Sequence, residues 1–238
     1  MVAVAAGLDQ MTDIDQSGLE WRGGTLPVSR RFDDPYFSLE NGLAETRHVF
    51  LAGNDLPARF QPGFVVAELG FGTGLNLLAT QLAATAAGCD FTMDYISFEA
   101  YPLPAADIAR ALAAFPEAAT VAGPFLDAWG RGARCFDLGA LRVRVIEGDA
   151  RDTLPRWGGR ADAWFLDGFS PARNPELWAE PLMAEVAAHT TPGGSFATYT
   201  AAGFVRRGLA AAGFAVERAP GFGHKRHMSR GRMPGPAS

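Results

Sequence analysis

Four acidic residues each follow an apolar run in this chain. Glu68 follows Phe64-Val65-Val66-Ala67, Glu99 follows Tyr95-Ile96-Ser97-Phe98, Asp149 follows Val145-Ile146-Glu147-Gly148, and Asp167 follows Ala163-Trp164-Phe165-Leu166. Carboxylates in such places suit the polar parts of a ligand lying along the carboxyl edge of an open α/β sheet. The first acid leads into glycines at 70, 72 and 74 and then a helix-forming stretch from Leu75. A strand, a tight glycine turn and a helix N-terminus bind nucleotide-like ligands. The dinucleotide fingerprint wants G-x-G-x-x-G, and position 75 is leucine. A carboxylate at Glu68 repels pyrophosphate but suits an ammonium and a sulfonium, which points to S-adenosylmethionine. On this reading Glu68, Gly70, Phe71, Gly72, Thr73, Gly74 and Asn76 cradle the ligand. Glu99 accepts the ribose hydroxyls, Asp149 with Ala150 takes the adenine amino group, and Asp167 is counted with them on the cofactor rim. Any one such acid alone also suits a helix cap; four, each after its own strand, favour a binding rim.

Asp167 opens Asp167-Gly168-Phe169-Ser170-Pro171, after the strand expected beside the glycine-turn strand. An acceptor oxygen followed by an aromatic suits methylation of an amine on a base. The oxygen takes an N–H, so the nitrogen lone pair faces the methyl group, and the ring packs on the base. An aliphatic amine has a pKa of about 10 and loses a proton before it attacks. Asp167 therefore either orients the neutral amine or receives its proton. Other chemistry is not encoded in a comparable way. The histidines at 48, 189, 224 and 227 lack metal-ligand spacing, so no metal is expected. Ser170 lacks a G-x-S-x-G elbow, and Cys89 and Cys135 read as structural.

The elements that must position these residues follow from periodicity. A hairpin is expected around Gly23-Gly24, then a helix over 41–50, the glycine turn and a helix over 75–86. A strand at 93–99, helices over 104–115 and 117–129, and a hairpin of 133–138 with 141–146 come next. Beyond them lie a strand at 162–167, a helix over 175–189, a strand at 193–199, a helix over 202–212 and strands at 214–218 and 225–229. Repeated strand–helix order predicts a doubly wound sheet closed by an antiparallel pair. The 238 residues, 48 % hydrophobic, suit one domain with a sizeable core. No secretory leader or membrane span is read, two cysteines suit a reducing compartment, and a cytoplasmic location is expected. The net charge is −5, yet residues 203–238 carry seven basic residues against one acid, leaving −11 on the preceding 202. This basic end is either a nucleic-acid-facing edge or a solvated tail.

Five segments together carry a family resemblance. They are Asp33-Asp34-Pro35-Tyr36-Phe37-Ser38 with Asn41-Gly42-Leu43-Ala44-Glu45-Thr46-Arg47; Glu68-Leu69-Gly70-Phe71-Gly72-Thr73-Gly74-Leu75-Asn76; Trp164-Phe165-Leu166-Asp167-Gly168-Phe169-Ser170-Pro171-Ala172-Arg173-Asn174-Pro175; Thr200-Ala201-Ala202-Gly203-Phe204-Val205-Arg206-Arg207-Gly208-Leu209; and Gly221-Phe222-Gly223-His224-Lys225-Arg226-His227-Met228. Over roughly residues 19–230 the chain resembles the bacterial methyltransferase family that completes 5-methylaminomethyl-2-thiouridine at the tRNA wobble position.

The resemblance implies a class I methyltransferase fold with a mostly parallel seven-stranded sheet. It implies S-adenosylmethionine as cofactor and the amine of a 5-aminomethyl group, in a tRNA anticodon loop, as acceptor. By motif position Asp167 stands next to the amine and Phe169 beside the base. Tyr36 and Arg47 line the acceptor pocket, and Arg206, Arg207, Lys225 and Arg226 meet tRNA phosphates. Residues 1–60 are expected as an N-terminal extension packing on a catalytic domain of 61–230, with 231–238 a linker-like tail. Relatives of this kind are often fused to an FAD-dependent oxidase that produces the amine, and the oxidase is expected here as a fused or separate partner. No second glycine fingerprint is present, so no FAD is expected in this chain. Transfer to another amine, and a tRNA-binding module without catalysis, remain as alternatives.

Overall fold

The computed structural model describes residues 18–38 and 41–235. The first part of the expected N-terminal extension, residues 1–17, and the last three residues of the expected tail lie outside the described residues. Leu19–Arg22 (β1) and Leu26–Ser29 (β2) pair antiparallel around Gly23-Gly24, and Asp34–Pro35 (β3) adds a third strand. The side chain of Asn41 accepts from Ala44 N at 2.9 Å and so caps Gly42–Thr46 (α1). The expected helix then widens through a π-turn at Arg47–Leu51 and tightens through a 3-10 turn at Ala52–Asn54.

The main sheet begins with Val65–Leu69 (β4), which leads through the glycine turn into Leu75–Ala86 (α2). Met93–Glu99 (β5), Ala105–Leu112 (α3) and Pro116–Gly130 (α4) follow. Cys135–Leu138 (β6) and Leu141–Glu147 (β7) form the expected hairpin, and Ala150–Thr153 (α5) is a single turn. Ala161–Leu166 (β8), Glu180–Ala188 (α6), Thr190–Thr198 (β9) and Gly203–Ala211 (α7) lead to the closing pair, Ala215–Pro220 (β10) and His227–Arg232 (β11).

Among the described residues the main sheet has eight strands in the order β10-β11-β9-β8-β4-β5-β7-β6, against the seven that the resemblance implies. Both arms of the expected hairpin join it, with β6 as the outermost strand. From β7 to β9 the strands run parallel, β6 and β11 run against them, and β10 pairs antiparallel with β11 at the margin. The expected helix over 175–189 is interrupted. Pro181 has no N–H to offer the Leu177 carbonyl and its ring would crowd it, so the helix restarts: Ala179 is extended (φ −68°, ψ 148°), and a 3-10 turn at Pro175–Trp178 precedes α6. The expected linker at 231–238 is also corrected. Gly231 and Arg232 pair with both β9 and β10, and Met233 N donates to Gly194 O at 2.7 Å.

Side chains alternate across the sheet with the strand period of two. Val66, Tyr95, Val143, Ala163 and Phe165 share a core with Leu77 and Leu78 of α2 and Phe125 and Trp129 of α4. Ala67, Leu69, Ile96, Phe98, Trp164 and Leu166 share another with Leu182 and Val186 of α6 and Val205 and Leu209 of α7. Burying both faces lets the central strands be apolar throughout. The chain winds outward from β4 through β5 to β7 on one side, then returns to β8 and winds outward on the other. The switch point falls between β4 and β8.

Asn54 fastens the turns after α1 to this sheet. Fully buried, it donates from Nδ2 to Phe50 O (2.9 Å) and Trp164 O (3.2 Å), and its Oδ1 accepts from Ser195 Oγ at 2.6 Å. Asn54→Ala strands those partners away from water. It is expected to cost about 2–4 kcal/mol, measured by urea unfolding, since each buried polar group left unsatisfied costs roughly 1–3 kcal/mol.

Candidate active site

Parallel register sets the acids in a row. Leu69 lies opposite both Leu166 and Phe98, so Gly70 falls between Asp167 and Glu99, and Glu99 in turn is opposite Glu147. Asp167 N donates to Leu69 O at 3.1 Å and Gly70 N to Phe98 O at 2.9 Å, which carries the pairing one residue past the strands. Gly70 (φ 90°) and Gly72 (φ 53°) take left-handed backbone. A Cβ on Gly70 would strike the carbonyl oxygen of Asp167, and one on Gly72 would meet the Tyr36 ring at 3.2 Å. This edge opens into a cavity of about 830 Å³.

One half of the cavity is walled by Gly70, Phe71, Gly72, Thr73 and Asn76, with Glu99, Asp149 and Ala150 beyond them. Glu99 Oε2 accepts from Gly72 N at 3.0 Å and Oε1 from Tyr101 N at 2.7 Å. Burial pushes its carboxyl up, against the pull of those backbone amides. Asp149 caps α5, accepting from Arg151 N at 2.9 Å, and its carboxylate is engaged by the Arg151 guanidinium at 2.6 Å. The Arg151 hydrogen bond holds its carboxyl below the usual carboxylate range.

Glu68 departs from its expected role. It is fully buried under the turn and does not line the cavity. Oε2 accepts from Ser97 Oγ at 2.7 Å, and Oε1 from Asn76 Nδ2 at 2.9 Å. The same Nδ2 donates to Asp167 Oδ2 at 2.7 Å, while Asn76 Oδ1 accepts from Thr46 Oγ1 at 2.9 Å. Burial pushes Glu68 up to about 8, with the negative charge of Asp167 adding to it and the donors opposing it. Asp167 is likewise pushed up to about 7, mainly by burial, with Glu45 raising and Lys225 lowering it. Gly74, the last of the turn glycines, stands outside the cavity, packed on Phe125.

The other half is aromatic and charged. Phe169 stacks on Phe32 (centroids 4.7 Å apart) and meets the Tyr36 ring edge-on at 5.0 Å. This roof is tied down where Ser170 N donates to Asp34 Oδ2 at 2.7 Å and Arg173 pairs with Asp33 at 2.9 Å. Tyr199 OH donates to Gly168 O at 2.7 Å. Lys225 departs from the expected phosphate surface and lines the cavity, bonded to Glu45 at 2.7 Å. Arg47 is corrected as well. It is exposed, pairs with Glu117 of α4, and does not line the cavity, because it lies two positions from the inward-facing Glu45 and so on the opposite face of the helix. Arg206 is half-buried and donates to Ala201 O, whereas Arg207 and Arg226 are exposed. Glu45, Phe32 and Tyr199 received no role from the sequence. Tyr199 directly follows β9, so the strand-end rule applied to the acids would have found it.

Because Glu68 has a raised value, the folded state favours its protonated form. Its stabilising contribution is full below the ordinary 4.5 and declines as pH rises towards about 8. Glu68→Gln keeps the shape of the protonated acid. Between pH 5 and 8 its thermal midpoint is expected to fall less steeply than that of the wild type; parallel curves would refute this.

Comparison with known proteins supports the cofactor chemistry. A family model described as S-adenosyl-L-methionine-dependent methyltransferase matches residues 116–234. A protein of Aeromonas hydrophila subsp. hydrophila named tRNA 5-methylaminomethyl-2-thiouridine biosynthesis bifunctional protein MnmC is 46% identical over 237 residues, covering 92% of this chain and 36% of that protein. Its namesake in Pseudomonas paraeruginosa is 45% identical over 237 residues, covering 95% and 36%. The chain thus spans about a third of the length of the curated relatives it matches. The crystal structure of MNMC2 from Aquifex aeolicus shares the fold at a TM-score of 0.72 and 23% identity, over 90% of this chain and 69% of that one.

Proposed function

The chain belongs to the S-adenosyl-L-methionine-dependent methyltransferases, and on that premise we propose that it methylates the primary amine of a 5-aminomethyl group on the wobble 2-thiouridine of tRNA. The observation that carries this reading is the shared cavity. Asp167, a half-buried acceptor, stands beside the glycine turn in strand register, and an aromatic roof covers the same space. The names of the relatives agree with it.

The cavity suits the cofactor. Its volume of about 830 Å³ is within the usual range for small-molecule sites. Its Gly70 and Gly72 backbone has no Cβ to obstruct it, and the carboxylate of Glu99 lines it. Gly70, Phe71, Gly72 and Thr73 would hold the amino-acid end, Glu99 the ribose, and Ala150 with Asp149 the adenine. Bound there, S-adenosylmethionine supplies a methyl group already activated on a sulfonium.

The work left to the protein is alignment and proton control. Asp167 accepts an N–H of the amine and turns the lone pair towards the glycine-turn side of the cavity. Phe169 and Tyr36 hold the base and keep water out. An aliphatic ammonium near 10 gives up its proton more readily once desolvated under this roof. Asp167 at about 7 is a far better acceptor than a solvated carboxylate. Wild-type kcat is therefore expected to rise between pH 6 and 8, as this carboxyl deprotonates. Asp167→Asn should lower kcat by about a hundredfold or more, flatten that limb and leave cofactor binding intact by calorimetry.

Arg207 and Arg226, exposed on the basic end, meet the tRNA backbone on this reading, with Arg206 behind them. Each of Arg207→Ala and Arg226→Ala should raise the tRNA KM and reduce the log–log salt slope by about 0.7 per lost contact. An unchanged slope would make the basic end a solvated surface. The aminomethyl substrate is delivered by an FAD-dependent oxidase, fused or separate. The deciding assay presents labelled S-adenosylmethionine and tRNA from a strain that accumulates the 5-aminomethyl nucleoside. Label in the methylaminomethyl nucleoside supports the proposal, and its absence rejects it.

A further inference from the structure

Lys225 is the only lysine in the chain, and although its side chain is half-exposed it lines the cavity. Nζ is 2.7 Å from Glu45 Oε1 and 4.3 Å from the centroid of the Tyr199 ring. A carboxylate together with an aromatic face makes a complete binding site for a primary ammonium. The two partners of the pair differ in depth. The Glu45 side chain is 12% exposed and that of Lys225 46%, so the acid belongs to the wall and the lysine reaches in from the rim. Tyr199 is fixed independently, its hydroxyl held by Gly168 O next to Asp167. Glu45 sits on α1 directly before Thr46, which bonds Asn76 and through it Asp167. The site therefore stays formed when the lysine leaves, and it shares a wall with the acceptor carboxylate.

We propose that Glu45 and the face of Tyr199 form the docking site for the substrate's aminomethyl ammonium, and that Lys225 fills this site in the free protein as an internal stand-in that the substrate displaces. The ligand class rests on the amine-methylating reading above; the ammonium site itself does not. Displacement exchanges one alkylammonium for another on the same two partners, so no charge is left uncompensated. The released lysine carries its charge out to the rim, where a polyanion arrives. A neutral or carboxylate-bearing side chain on the same base cannot make the exchange. Glu45 thus selects for the free amine before Asp167 takes its N–H.

A single lysine makes the test direct. In the full chain labelled with ¹⁵N-lysine, the side-chain ammonium gives one resonance. Methylammonium chloride, exchanged for sodium chloride at constant ionic strength, is expected to move that signal saturably to the position of a solvated lysine. Glu45→Gln should start at that position and not respond. A wild-type signal indifferent to methylammonium overturns the proposal. Kinetics on 5-aminomethyl tRNA provide the second arm. An occluded site weakens apparent affinity by the fraction open. Lys225→Met should therefore lower KM by about three- to tenfold if the lysine occupies the site most of the time. Glu45→Gln should raise KM about tenfold through loss of a charge-assisted contact, with cofactor binding unchanged. A Lys225→Met enzyme with raised KM and a flatter salt slope would make the lysine a phosphate ligand and overturn the stand-in role. If no aminomethyl tRNA is methylated, the proposed function fails, and the resonance still decides the ammonium site.

Discussion

The side-chain amide of Asn76 joins a fully buried carboxylate, Glu68, to a half-buried one, Asp167. Its Nδ2 carries two hydrogens, one directed at Glu68 and the other at Asp167, and its Oδ1 is occupied by Thr46. Both N–H groups of that side chain are spent, and its oxygen has a partner as well. Much else follows from this. The amide fixes the first turn of α2 against the ends of β4 and β8, so the glycine turn has one path between them. It draws α1 in through Thr46, which brings Glu45 to the cavity wall. It also holds two acids where water is largely excluded, and that burial is the main reason both carboxyls are raised. A buried polar network of this kind is stable only when complete, which ties the donor side of the cavity to the acceptor side.

The large-scale architecture was legible because it rests on local patterns. Apolar runs ending in Glu68, Glu99 and Asp167 did become adjacent parallel strands. Register then placed the acids along one edge, as the strand-end rule implies. Depth was not legible. A carboxylate beside a glycine turn reads as a ligand contact, yet Ser97 and Asn76 take Glu68 underneath. Side-chain direction on the irregular helix was hidden for a similar reason. Two positions apart, Glu45 and Arg47 take opposite faces of the helix, and no local pattern says which face meets the cavity: Arg47 meets Glu117 outside while Glu45 faces in. The roof escaped because β3 has only two residues, too few for any periodicity, and its strength lies in long-range pairs such as Asp34 with Ser170. The basic end read as one surface by counting charge. In space Lys225 belongs to the cavity, and only some of the arginines remain outside.

The irregular N-terminal stretch also acquires a purpose that composition did not suggest. Phe32 and Tyr36 meet Phe169 over the switch point, and Arg31 lies 4.4 Å above the Tyr101 ring on the far side. Loops after β5 and β8 are thereby joined through a segment that precedes both in sequence. Alignment of two reactants needs such a cover more than it needs reactive side chains, and this site has one candidate proton acceptor and many rings.

The outer strands bear on how the molecule behaves in a crowded solution. At one margin β6 is only four residues long. At the other, β10 ends in Pro220 and carries Glu217 and Arg218 along an exposed face. Short, charged or proline-ended margins make poor templates for a neighbouring backbone. A sheet of eight strands with so apolar an interior would otherwise invite other chains to add to it during synthesis. The same margins that frame the catalytic fold also limit its growth.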